Sequence, residues 1–144
     1  MARTSIACIV FDGKKVLIAH RKATGQMGNR WEFPGGKVED GEDEREGLVR
    51  EFAEEFGVTV CAGELIASAQ FKHNGEVRDL HAYRVFVPHN GMEEKYALTE
   101  HTEYRWAEMA EIPELPFVDS DMLIYPQVVK YLAGILPDEE PKKR

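Results

Sequence analysis

Short runs of hydrophobic residues separated by turn-forming residues occupy the first part of the chain. The runs at residues 5–10 and 15–19 are divided by Asp12-Gly13, a dipeptide that favours a tight β-hairpin turn. A second hairpin signal, Asn74-Gly75, divides two longer stretches of strand-like residues. The pattern predicts strands at residues 5–10, 15–19, 31–33, 58–72, 77–87 and 104–107. We expect Pro34-Gly35-Gly36 to end the third of these strands.

Two segments carry helical periodicity instead. One lies between Asp43, which can cap a helix N-terminus, and Gly57, which can end a helix in the left-handed conformation. The other covers residues 120–136, where Pro126 indicates a helix start or a kink. Strands first, then a helix, more strands and a last helix predict an α/β (α+β) fold with a mixed sheet covered on both faces.

The first predicted helix has an acidic side. Glu51, Glu54 and Glu55 are spaced i, i+3 and i+4, which places them on one face, whereas Phe52 and Phe56 point the opposite way. Like charges at this spacing destabilise an isolated helix by roughly 0.2–0.5 kcal/mol per pair. A divalent cation such as Mg²⁺ or Mn²⁺ would offset the repulsion, because carboxylate oxygens are the ligands that these ions prefer. An ordinary solvated face is the alternative explanation.

A longer pattern surrounds this helix. From Gly36 to Val58 it has the form Gly-x5-Glu-x7-Arg-Glu-hydrophobic-x-Glu-Glu-x-Gly-hydrophobic. Every fixed position of this form resembles the Nudix box of the Nudix hydrolase family, with one mild departure at Phe52, where a smaller aliphatic residue is usual. The preceding segment, Asn29–Lys37, is similar to that of the MutT-like nucleoside triphosphate pyrophosphohydrolases, and the resemblance extends from Ile6 to Leu132. It implies the alpha/beta/alpha Nudix sandwich with a mixed, curved sheet.

The resemblance also implies a reaction, the Mg²⁺-dependent hydrolysis of a nucleoside triphosphate to the monophosphate and pyrophosphate, with Mn²⁺ as an alternative ion. The implied metal ligands are the Gly35 carbonyl and the carboxylates of Glu51, Glu54, Glu55 and Glu100. The implied catalytic residues are Glu51, Glu54 and Glu100, and Glu51 would also orient or deprotonate the attacking water. For Glu100, a plain loop carboxylate is an equal alternative. The residues expected to support the box are Gly36, Glu42, Arg50 and Gly57.

Four positions bear on the substrate. By the same resemblance, Arg21 and Lys37 are expected to bind phosphate, and an arginine fork suits phosphate oxygens; a solvated surface role is the alternative for both. Asp119 matches the base-reading Asn or Asp of MutT-like enzymes. An ionised carboxylate only accepts hydrogen bonds, so it favours the two N–H donors of a guanine-type edge. The expected function is therefore hydrolysis of 8-oxo-dGTP, which sanitises the nucleotide pool. The alternatives are a CTP or modified dCTP substrate, and an Asp119 that merely caps the last helix.

Length, charge and composition limit the classes of protein to which this chain can belong. The 144 residues carry a net charge of −8, which argues against a protein that grips the nucleic acid backbone. We expect one domain over residues 1–136 and a disordered tail over residues 137–144. No signal-peptide pattern and no membrane-length apolar run occur in the sequence, so we expect a cytoplasmic protein without membrane contact. Its partner would be a small nucleotide, and its state a monomer or a homodimer.

Other chemistries fit the sequence less well. The Gly36-Lys37 pair is not part of a P-loop, because Trp31 stands where the first glycine belongs and Val38 follows the lysine. The five histidines lack zinc-ligand spacing. Cys8 and Cys61 are predicted to be reduced core residues. The alternative from another functional class is a non-catalytic Nudix-fold module that binds nucleotides, although such modules usually lose box carboxylates that this chain retains.

Overall fold

The computed structural model describes residues 3–25, 27–88, 98 and 101–135. The strands in these ranges are β1 (Arg3–Ile9), β2 (Phe11–Asp12), β3 (Lys15–Arg21), β4 (Trp31–Glu32), β5 (Gly35–Lys37), β6 (Cys61–His73), β7 (Glu76–Phe86) and β8 (His101–Glu108). The helices are α1 (Glu44–Phe56), a 3-10 helix (Met109–Glu114) and α2 (Asp119–Ile135). The predicted tail at 137–144, and with it the domain boundary after residue 136, lies outside the described residues and stays a prediction.

The described strands form two four-stranded sheets. One is mixed and has the order β5-β1-β7-β6, in which β1 and β7 are parallel and the other pairs are antiparallel. In the other, β3 pairs antiparallel with β2, β4 and β8. The predicted α/β (α+β) class with a mixed sheet is confirmed, and the strands are divided between two sheets.

Alternate residues of β1 enter two different cores. Ile6 and Cys8 pack beneath α1, together with Leu48, Phe52 and Phe56 of that helix. Ala7 and Ile9 pack beneath α2, together with Ile124, Val128 and Leu132. A strand buried on both faces has a continuous apolar sequence, which is the pattern that residues 5–10 display. The two helices therefore cover opposite sides of the strand layer.

Local signals at the ends of α1 and at the hairpins are confirmed. The Asp43 side chain accepts hydrogen bonds from the backbone nitrogens of Arg45 and Glu46, and Gly57 ends the helix with a φ of 73°. The turns between paired strands contain Gly13 at φ 62° and Asn74-Gly75 at φ 53° and 80°. These left-handed conformations suit glycine and asparagine, so the turn type follows from the residues.

Several element predictions are wrong in detail. The strand predicted at 31–33 ends before Pro34, as expected, but Gly35 and Gly36 belong to a further strand, β5, which no pattern predicted and which pairs with β1. Pro126 does not start a helix, because α2 begins at Asp119 and continues through it. The strand predicted at 104–107 starts earlier, at His101, and a 3-10 helix that no pattern predicted follows it. Cys8 is a free core cysteine as expected, but Cys61 is exposed, because it lies at the start of the edge strand β6.

Among the described residues no helix has the length and apolar character that crossing a membrane requires.

Candidate active site

On the acidic face of α1, Glu51 and Glu55 are turned away from bulk solvent, whereas Glu54 is exposed. Glu55 is only 7 % exposed, and its Oε1 atom has no hydrogen-bond partner among the described residues. Burial, followed by the charges of Glu51 and Glu32, raises the pKa of Glu55 to about 9, although a backbone hydrogen bond from Gly35 opposes this change. Burial also raises the pKa of Glu51. Two carboxyl groups of one helix are thus held where full ionisation is unfavourable.

The two glycines of β5 allow the strand to approach both β1 and α1. A Cβ atom on Gly35 would overlap the backbone carbonyl of Ile6, and a Cβ atom on Gly36 would overlap the carboxylate of Glu51. Any side chain at either position would therefore move the strand or the acidic group. The glycines of the box sequence are required by the contact between these segments.

Arg50 organises the carboxylates around it. Its Nε and Nη2 atoms donate to the two carboxylate oxygens of Glu42 at 2.7 and 3.0 Å, in a bidentate pair. Its Nη1 atom donates to Glu51 at 3.1 Å and to Glu54 at 3.2 Å, and Nη2 also reaches the Lys37 carbonyl. The hydrogen bond from Arg50 lowers the pKa of Glu42 to about 2. Arg50 and Glu42 thus tie the loop before α1 to the helix, the supporting arrangement expected from the sequence.

The donor set at this face fits a divalent cation. In the described part of the chain no three His, Cys, Asp or Glu side chains form a ready-made metal cluster, and Glu51 and Glu54 both pair with Arg50. The fit rests on the Oε1 atom of Glu55, a buried acceptor to which a cation would supply the missing partner. The Glu54 side chain is largely exposed and lies on the same face of the helix. All of these ligand atoms are carboxylate oxygens, the type that Mg²⁺ and Mn²⁺ prefer.

A cavity of about 500 Å³ opens beside the acidic face. Among the residues that line it are Arg21 and Lys37, the two cations predicted to bind phosphate. A third cation in the wall, Arg78, is 4 % exposed, and its Nη2 atom donates a hydrogen bond to the Ser5 hydroxyl at 3.3 Å. Phe71 and Leu80 supply apolar surface to the same cavity. The cavity therefore joins positive, acidic and apolar surfaces in one space.

Glu32 connects several groups of the cavity wall. One of its oxygens accepts a hydrogen bond from Arg21 at 3.2 Å, and the other lies 2.8 Å from Nε2 of His101. Nε of Arg21 and Nδ1 of His101 are buried without a partner among the described residues. His101 is therefore a buried member of the cavity wall.

The two acidic residues at the start of α2 have different environments. The Asp119 side chain is 77 % exposed, pairs with Arg30 at 3.3 Å and does not line the cavity. Asp121 is buried, lines the cavity and accepts a hydrogen bond from the backbone nitrogen of Phe33 at 2.9 Å. Burial, followed by the charge of Glu32, raises the pKa of Asp121 to about 8. A carboxyl group that is mostly protonated at neutral pH thus faces the cavity.

Sequence reasoning missed Asp121, Arg78 and the partners of Glu32. A signal for Asp121 was available, because it lies three residues before Ile124 on the buried face of α2. A signal for Arg78 was its position two residues before Leu80, which places both side chains on the inward face of β7. By contrast, Glu100 lies outside the described residues, so its predicted roles stay predictions.

Comparison with known proteins agrees with these features. The NUDIX domain family model matches residues 1–128. The chain is 35 % identical over 117 residues to a CTP pyrophosphohydrolase of Escherichia coli, covering 81 % of this chain and 84 % of that protein. It is 51 % identical over 51 residues to an 8-oxo-dGTP diphosphatase of Proteus vulgaris, covering 35 % of this chain and 46 % of that protein.

Solved structures share the fold of this chain. The solution structure of the E. coli ORF135 protein superposes with a TM-score of 0.79 at 31 % identity, covering 93 % of each chain. The crystal structure of a MutT protein from Methanosarcina mazei, at 21 % identity, shares the fold with a TM-score of 0.74 over 92 % of this chain and 94 % of that one. The family match and these relatives show that the chain belongs to the Nudix hydrolase family, as a MutT-like member that acts on acid anhydrides.

Proposed function

We propose that this protein hydrolyses a nucleoside triphosphate to the nucleoside monophosphate and pyrophosphate with the help of a divalent cation. The observation that carries the proposal is the content of one cavity, where the buried Glu55 of the box helix, the cations Arg21, Lys37 and Arg78, and the buried acid Asp121 are brought together. A nucleoside triphosphate needs these three surfaces, namely metal ligands, cations for phosphate oxygens and a polar group for the base edge.

The box residues would hold the cation. Glu51, Glu54, Glu55 and the Gly35 carbonyl are the proposed ligands, and Glu100 stays a further prediction. When bound, Mg²⁺ or Mn²⁺ neutralises charge on the phosphate oxygens and lowers the pKa of a water molecule. Glu51 would orient that water or accept its proton, since Arg50 keeps the Glu51 carboxylate in place through a 3.1 Å hydrogen bond. Arg21, Lys37 and Arg78 would bind phosphate oxygens along the cavity wall.

The protonation state of Asp121 favours a cytosine-type base. A protonated carboxyl group presents one donor and one acceptor side by side, and cytosine offers N3 as acceptor and its N4 amino group as donor. The preference for a guanine-type edge, in contrast, assumed an ionised carboxylate at Asp119, whose side chain is exposed and paired with Arg30. The similarity to a CTP pyrophosphohydrolase over most of the chain supports the same choice. We therefore propose CTP or a modified dCTP as the substrate.

An 8-oxo-dGTP activity, with a role in sanitising the nucleotide pool, is the second candidate. It is supported by the 51 % identity to an 8-oxo-dGTP diphosphatase over 51 residues. An ionised Asp121 would accept from the N1–H and N2–H groups of that base. The discriminating experiment is a panel of 8-oxo-dGTP, dGTP, CTP, 5-methyl-dCTP and ADP-ribose, compared by kcat/KM with Mg²⁺ and with Mn²⁺.

The reaction itself is tested by Glu54→Gln. Loss of one carboxylate ligand should abolish metal-dependent pyrophosphate release while the circular dichroism spectrum stays unchanged. Glu46→Gln, at an exposed position on the same helix, is the matched control and should keep full activity. Full activity of Glu54→Gln would contradict the metal assignment. If the wild-type protein hydrolyses no nucleotide of the panel but binds one in calorimetry, the non-catalytic binding module is the correct function.

The remaining expectations belong to this proposal. A small nucleotide partner, without nucleic acid or membrane contact, agrees with the net charge of −8. A cytoplasmic location and a monomeric or homodimeric state stay predictions.

A further inference from the structure

Three polar side chains meet at the first turn of α1, outside the cavity. Glu44, the first residue of the helix, accepts a hydrogen bond from the Tyr83 hydroxyl at 2.6 Å. Nδ1 of His81 lies 2.8 Å from one oxygen of the same carboxylate and 3.0 Å from the other, so the imidazole donates to both. Tyr83 is buried, and the Glu44 carboxylate accepts from both of the other side chains. We call Glu44, His81 and Tyr83 the α1 anchor.

The next residue strengthens the connection to the sheet. Arg45 donates from Nε to the Gly63 carbonyl of β6 at 3.0 Å, and its guanidinium lies 5.0 Å from the centre of the Tyr83 ring. The first turn of α1 is therefore bound to two adjacent strands. One of them, β7, is an interior strand that pairs with β1 and β6, so its position is constrained on both sides.

The anchor lies on the same line of the helix as the buried metal-ligand candidates. At about 100° per residue, Glu51 is about 20° to one side of Glu44, and Glu55 is about 20° to the other. The distance along the axis from Glu44 to Glu51 is about 10 Å. A contact on this line opposes both rotation of α1 about its axis and sliding along it. This directional contact adds to the packing of the buried Phe52 and Phe56 side chains.

We propose that Glu44, held by His81 and Tyr83, is a positioning residue that sets the rotation of α1 and thereby the placement of the Glu51 and Glu55 carboxylates. This inference rests on the proposed metal-dependent hydrolysis. With side chains reaching about 5 Å from the helix axis, a rotation of about 20° moves a carboxylate by about 2 Å. A displacement of about 1 Å in a catalytic constellation can lower the rate about 100-fold, so a partial release of the helix should lower it at least tenfold.

The test compares three variants with one control. Glu44→Ala removes the whole anchor, Tyr83→Phe removes one hydrogen bond and keeps the ring that contacts Arg45, and the double variant combines the two changes. Glu46→Ala removes a carboxylate from the same turn on the opposite, exposed face of the helix. For each protein, kcat and KM are measured with CTP at saturating Mg²⁺. Mn²⁺ affinity is measured separately by electron paramagnetic resonance, and folding by circular dichroism.

We expect Glu44→Ala to lower kcat at least tenfold with less than a twofold change in KM, and to weaken Mn²⁺ binding. Tyr83→Phe should lower kcat two- to fivefold, and the double variant should be no worse than Glu44→Ala, because both changes remove the same contact. If Glu44→Ala fails to fold, the kcat and Mn²⁺ affinity of Tyr83→Phe test the inference. Kinetics and Mn²⁺ affinity equal to those of Glu46→Ala would overturn the inference. A wild-type protein that neither binds Mn²⁺ nor hydrolyses a nucleotide would overturn the proposed function instead.

Discussion

Replacing Asp121 with asparagine removes an ionisable group from a buried position while keeping the shape of the side chain. The asparagine carbonyl can still accept the 2.9 Å hydrogen bond from the Phe33 backbone. The wild-type carboxyl has a pKa of about 8 in the folded protein, against an ordinary value of 3.8, because burial disfavours its charged form. The variant therefore isolates the cost of keeping this acid neutral.

The size of the effect follows from proton linkage. The stabilising contribution of Asp121 is complete below a pH of about 4, where both states are protonated, and is lost as the pH rises toward about 8. Within this window the unfolded chain has released its proton and the native protein has not. Each pH unit then costs about 1.4 kcal/mol, so the wild-type protein should lose about 2–3 kcal/mol relative to Asp121→Asn between pH 5 and pH 7.

The measurement is urea unfolding of metal-free protein in chelator at pH 5, 6 and 7. Contributions from other acids largely cancel in the difference between wild type and variant at each pH. Asp119→Asn makes the same chemical change at a side chain that is exposed to solvent, and it controls for the substitution itself. If the free energies of unfolding of wild type and Asp121→Asn change in parallel with pH, Asp121 is ionised in the folded protein. The argument for a cytosine-type base would then be refuted.

Three further predictions concern the metal face. Gly36→Ala should lower kcat at least tenfold, because the added Cβ would overlap the Glu51 carboxylate. Gly134→Ala adds a Cβ in open space and should leave kcat unchanged. Steady-state kinetics of the two variants test this prediction. Arg50→Lys should lower the urea midpoint and weaken Mn²⁺ binding measured by paramagnetic resonance, since an ammonium group cannot reproduce the guanidinium fork. Mg²⁺ binding at pH 7 should release about one proton, because the pKa of Glu55 is about 9 and a ligand carboxylate must be ionised. Calorimetry in buffers of different ionisation enthalpy measures that proton, and an equal release from Glu55→Gln would contradict its assignment.

Features determined by neighbours in the sequence were predicted well. The Asp43 cap, the end of α1 at Gly57 and both hairpin turns depend on hydrogen bonds and φ angles within a few residues. The fold class followed from the order of apolar segments. The short strand β5 was missed because its conformation depends on a strand far away in the sequence, since Gly35 fits against the Ile6 carbonyl and pairs with β1.

The candidate site was likewise predictable where its residues are close together in the sequence. Glu51, Glu54 and Glu55 share one helix, so their spacing alone indicated a common face. The acid that faces the cavity, in contrast, was placed at Asp119 instead of Asp121. Both residues stand at the start of α2, and the tertiary packing of that helix separates the exposed carboxylate from the buried one, which accepts from the Phe33 backbone.

By itself the sequence determined the family, the acidic face of α1 and the arginine that organises it, because these depend on spacing along one helix and its preceding loop. The tertiary structure alone decided how strongly Glu55 and Asp121 resist ionisation and which cations share their cavity. Burial and distant charges such as Glu32 set those properties. They arise when separate strands and helices exclude water from a common space, and no local pattern of residues encodes that exclusion.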